Sequence, residues 1–107
     1  MEDVLILNIE NFDEIIKNNE KVVVDFWASW CMPCKIVAPV FENLAKKYKG
    51  SIVFAKVNVD ENPDIAAKFD IMSIPNFVIF KNGEKIGQIV GAMPENVLEE
   101  KILNCFK

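Results

Sequence analysis

With 107 residues the chain has material for one hydrophobic core, and its composition, 51% hydrophobic and 26% charged, is that of an ordinary water-soluble globule. A net charge of −4 excludes the basic footprint that nucleic acid requires, and no apolar run reaches membrane-spanning length. The absence of histidine excludes Cys–His and Ser–His catalytic pairs and every histidine-ligated metal.

The start, MEDVLILNIENF, is acidic before it is apolar, the reverse of a secretory signal, so a cytoplasmic location is expected. VLIL (4–7) reads as a short strand. Asn11 is placed to cap a helix whose apolar face is Phe12, Ile15 and Ile16, with Glu14 at the reciprocal position of a capping box. VVVDFWA (22–28) is a continuous β-branched and aromatic run, suited to a strand buried on both faces. A long helix follows, with Val37, Val40, Phe41, Leu44, Ala45 and Tyr48 inward, a kink expected at Pro39 and a stop at Gly50.

IVFAKVNV (52–59) predicts a third strand. Asn62-Pro63 predicts a cap and first-turn proline for a short helix through Ile65, Ala66 and Phe69. NFVIF (76–80), the turn pair Asn82-Gly83 and KIGQIV (85–90) predict a hairpin. Pro94 opens a last helix with Val97, Leu98, Ile102 and Phe106 inward. The class is α/β. Strands separated by helices are expected to pair in parallel, and the closing hairpin antiparallel. Together they make a mixed five-stranded sheet with four helices on its two faces, in a single domain over 1–107.

Chemistry concentrates at WASWCMPCK (27–35). Cys31 follows the buried strand and opens the long helix. Residues three apart on a helix have Cα atoms about 5 Å apart, inside the disulfide window of roughly 4.4–6.8 Å. Such a bridge closes almost no chain and adds little stability, so a purely structural role is poorly motivated. The helix start supplies unpaired N–H groups and a positive dipole end, which favour a thiolate at Cys31. A thiol brought from about 8.5 to near 7 gains roughly fifteen-fold in thiolate and loses about five-fold in nucleophilicity. Acidity alone therefore contributes little, and a nearby resolving thiol is needed. Three readings stand: half a zinc site, two inert core thiols, or a redox dithiol. Zinc wants four ligands, and the chain offers one C-x-x-C and a distant Cys105. The βαβ context of a C-x-x-C favours the dithiol.

WCMPCK closely resembles the W-C-G-P-C-K motif of the thioredoxin family, and the likeness runs over essentially the whole chain. It includes DFWASWC (25–31), Pro39, KVNVDENP (56–63), SIPNFVIFKNGE (73–84) and Gly91. The resemblance implies a thioredoxin fold and a protein-disulfide reductase, with Cys31 the nucleophile and Cys34 the resolving thiol. It implies disulfide-containing proteins as substrates and a thioredoxin reductase as electron donor, acting on a monomer without cofactor or metal. It also implies that Pro75 is cis and lies against the cysteines, and that with Ile74 it offers backbone groups to a substrate strand.

The neighbouring residues have two readings each. Asp25, inside an apolar run, is either an edge residue or a buried acid–base group for Cys34, with Lys56 its partner on the next strand. Lys56 is otherwise an outward lysine on its sheet. Trp27 is read as core, and Trp30 as a surface contact for substrate. Lys35 is a solvated helix lysine or a small assist to the thiolate. Met72, Ile74, Gly91, Ala92 and Met93 complete an apolar rim. Cys105 is read as a small core hydrophobe, with regulatory oxidation the alternative. Pro33 keeps the family pattern. Met32 replaces its glycine and leaves the redox potential open, and Asn76 replaces the common threonine. Two rivals remain: a glutathione-using, glutaredoxin-like enzyme, and a scaffold whose dithiol is incidental.

Overall fold

Strand β2 (Lys21–Trp27) is buried without interruption from Val22 to Phe26. The reason is its place in the sheet. In the computed structural model, which describes residues 3–107, the order is β1-β3-β2-β4-β5, with both faces of the sheet covered by helices. Met1 and Glu2, part of the expected domain, lie outside the described residues. The other strands are β1 (Val4–Ile6), β3 (Val53–Asn58), β4 (Asn76–Lys81) and β5 (Glu84–Val90). The helices are α1 (Phe12–Asn18), α2 (Met32–Lys47), α3 (Pro63–Lys68) and α4 (Glu95–Cys105).

Alternation along β2 builds two cores. Val22, Val24 and Phe26 pack with Phe12 and Ile16 of α1 and Ile65 of α3. Val23 packs with Val37, Phe41 and Leu44 of α2 and Leu98 and Ile102 of α4. Asp25 and Trp27 share the parity of Val23, so they sit on the α2 side of the sheet.

One expectation about pairing fails. β1 and β2 both pair parallel with β3, but β4 pairs antiparallel with β2, although α3 separates it from β3. The connection over residues 59–75 is long enough for either direction, so its length does not set the pairing. The chain stays at the end where β3 leaves the sheet and enters β4 there, beside the end of β2. The hairpin holds as expected: Asn82 and Gly83 both take positive φ, at 53° and 85°, between β4 and β5.

The helix ends differ in detail. Asn11 precedes α1, but its side chain makes no forward cap. Its Oδ1 accepts from the Asn8 N–H at 2.8 Å, while the Asn8 carbonyl takes the Phe12 N–H. Asn62 likewise makes no side-chain cap on α3, because its amide donates to the Asn58 carbonyl. Pro63 holds its first-turn place. α2 runs through Pro39 and ends at Lys47, with Tyr48 as its cap and Gly50 beyond it at positive φ. On α4, Leu98 and Ile102 are buried, while Val97, Cys105 and Phe106 are only half-buried.

Candidate active site

β2 and β3 end, and β4 begins, at one edge of the sheet, where α2 also starts. Cys31 is the N-cap of α2 and Cys34 lies in its first turn behind Pro33. The two are joined by a disulfide with Cα atoms 5.3 Å apart. The pairing follows from helix geometry: the cap residue and the third helical residue already stand at bridging distance. The Cys34 N–H donates to Cys31 Sγ at 3.2 Å. Once the bridge opens, the same N–H and the helix dipole face a Cys31 thiolate.

Cys31 is only 4% exposed. Its sulfur is tied to Cys34, and it packs with Ala28, Trp27, Val59 and Ile74. It is shallow nonetheless, since Trp30 and Met32 on either side are exposed. The Ile74 carbonyl approaches Cys31 Sγ at 3.9 Å, and the Ile74–Pro75 bond is cis. Pro75 is buried, and its carbonyl accepts the Gly91 N–H at 2.9 Å. That bond ties the end of β5 to the cysteine pair.

Asp25 is 4% exposed, and its Oδ1 has no hydrogen-bond partner. Burial pushes its carboxyl up from 3.8 to about 7, and the Lys56 charge pulls against that rise. Register explains the pairing: Asp25 lies opposite Lys56 of β3 and Phe77 of β4. No ion pair joins Asp25 to Lys56 among the described residues. Lys56 is half-buried, with Nζ 5.4 Å from the centre of the Trp27 ring, so it acts on Asp25 through space. Trp27 is half-buried, partly in the small cluster around the cysteines.

Of the expected rim, Met72 is 90% exposed, Ala92 is exposed, and Ile74 and Gly91 are half-buried. Met93 is half-buried like Ile74 and Gly91, and it also packs against the core of the α2–α4 side. Lys35 and Pro33 are exposed on α2. Asn76 is buried with its Oδ1 unpartnered. Cys105 is a free thiol that burial raises above its ordinary value, and it packs against the α2–α4 core. No group of three or more His, Cys, Asp or Glu side chains among the described residues is placed to hold a metal ion.

Reading the chain missed Asp60. Its Oδ2 accepts the Trp30 indole N–H at 2.8 Å and anchors an otherwise exposed ring. The Asp60 N–H is itself held by Asn58 Oδ1 at 2.9 Å, a local turn at the end of β3. The stretch Asn58-Val59-Asp60 hints at that turn, but nothing local links it to Trp30.

Clefts among the described residues lie on other faces, lined for example by Ile9, Phe12 and Lys68 or by Leu5, Lys49 and Phe54. The cysteine pair instead sits in a shallow apolar surface, which suits a protein partner. The family model described as thioredoxin matches residues 3–104. A thioredoxin of Chlorobaculum thiosulfatiphilum is 50% identical over 94 residues, 87% of each chain. One from Staphylococcus haemolyticus is 52% identical over 90 residues, 84% of this chain and 86% of that one. The solved structure of Plasmodium falciparum thioredoxin superposes with a TM-score of 0.88 at 41% identity, covering 94% of this chain and 98% of that one.

Proposed function

The chain belongs to the thioredoxin family and is a thiol-disulfide oxidoreductase, and we propose how its own residues divide the work. The Cys31 thiolate attacks one sulfur of a substrate disulfide. A mixed disulfide forms, and the other substrate sulfur leaves as a thiolate. The Cys34 thiol then loses its proton to Asp25, directly or through water, and attacks Cys31 Sγ. The second substrate thiolate leaves, two electrons have passed to the substrate, and the Cys31–Cys34 bridge is closed. A carboxyl at about 7 is matched to this proton, since the group is poised to take or give it near neutral pH. Lys56 tempers that value from the neighbouring strand.

Trp30, Met32, Met72, Ile74, Pro75, Gly91 and Ala92 receive the substrate around Cys31, with Pro33 and Lys35 shaping the first turn of α2. Disulfide-containing proteins are the substrates, and a thioredoxin reductase resets the bridge. The chain works as a monomeric single domain in the cytoplasm. No helix among the described residues is long and apolar enough to cross a membrane. The observation that carries the reading is the bridge itself, closed across 5.3 Å at a helix N-terminus beside Ile74 and Pro75. Cys34→Ser tests it: this variant accumulates a covalent adduct with a protein-disulfide substrate, released by dithiothreitol. Normal turnover by Cys34→Ser would overturn the division of roles.

A further inference from the structure

The outer face of α2 carries apolar side chains where water is the neighbour. Its inner stripe is Cys34, Val37, Phe41, Leu44 and Ala45. On the opposite side Met32 is 63% exposed, Ile36 66%, and Pro39 is exposed as well. Their spacing is i, i+4, i+7, a single stripe along two turns of helix. Asn43, four residues beyond Pro39, ends it with a polar side chain. Isolated exposed apolar residues are ordinary, but three in line, beginning at the residue after the nucleophile, form a patch.

We propose that Met32, Ile36 and Pro39 form a docking ridge that selects disulfides with large apolar side chains within about three residues of the attacked cysteine. The proposal rests on the reductase reading above, and the reaction itself supplies the occupant. In the mixed disulfide a substrate sulfur is bonded to Cys31, so the substrate chain must leave from that point. The ridge starts at the next residue and extends over seven residues of helix, about 10 Å. An extended segment advances roughly 3.3 Å per residue, so about three residues cover it. The ridge lies on α2 and is separate from the Ile74 carbonyl that approaches the Cys31 sulfur. Met32, the departure from the family glycine, lengthens the ridge up to the cysteines.

Symmetric disulfide dimers of a one-cysteine peptide test this, because both sulfurs then have the same flanks. One peptide carries Leu or Phe at the three positions after its cysteine, and the other carries Ser. Burying half of a single ridge side chain corresponds to roughly five- to ten-fold in kcat/KM. The wild-type protein is expected to prefer the apolar dimer by at least that factor. Ile36→Ser lowers the preference several-fold, and Ile36→Leu keeps it. If the wild type reduces both dimers equally, or if Ile36→Ser leaves the preference unchanged, the ridge is wrong and the reductase reading stands. If the wild type reduces neither dimer, both readings fall.

Discussion

Asp25→Ala is the sharpest perturbation the structure offers. The carboxyl is buried with one oxygen unpartnered, and burial holds it at about 7 against an ordinary 3.8. Folding therefore favours the neutral acid. That contribution is fully present below about pH 4, is lost as pH rises to about 7, and above that the ionised carboxylate is a constant cost. Each decade of acidity is worth about 1.4 kcal/mol, which makes the cost about 4 kcal/mol. Truncation to alanine removes it and leaves a small cavity worth about 1 kcal/mol the other way. Lys56 is half-buried and stays hydrated, so it adds no comparable penalty. The variant is expected to be more stable than wild type by about 3 kcal/mol near pH 8.5, with nearly all of the gain gone by about pH 5. Urea unfolding of both proteins in the disulfide form, across that range, measures it. A second arm follows the resolving step: Asp25→Asn slows the attack of Cys34 on the mixed disulfide and flattens its dependence near pH 7. Parallel stability curves for wild type and Asp25→Ala would refute the buried-acid argument. An unchanged resolving rate across pH would refute the acid–base role.

Asp60→Ala, in a Trp27→Phe background, frees the Trp30 indole. Fluorescence anisotropy is expected to fall, and kcat/KM for a protein disulfide to drop about five-fold, as for a lost hydrogen bond of about 1 kcal/mol; unchanged values for both would show that the bond positions nothing. Gly87→Ala would put a Cβ 2.7 Å from Cys105 Sγ, so it is expected to destabilise by about 1–3 kcal/mol. Cys105→Ala should restore most of that loss, and strict additivity in the double-mutant cycle would count against the contact.

What the sequence alone determined is local. The run VVVDFWA announced a strand buried on both faces, since continuous β-branched residues have no solvent face to offer. Asn82-Gly83 announced the hairpin through the positive φ that both positions adopt. The spacing of Cys31 and Cys34 announced a bridge, because helix rise and radius set their separation. Tertiary structure alone decided the direction of β4, since the connection over residues 59–75 could have served either direction. It likewise decided that Asp25 is a buried acid facing Lys56, that Asp60 anchors Trp30 from 30 residues away, and that Cys31 is covered when bonded. The difference is physical. Periodicity and turn chemistry act between neighbours in the chain, whereas desolvation, register and side-chain anchoring depend on which distant segments come to lie together.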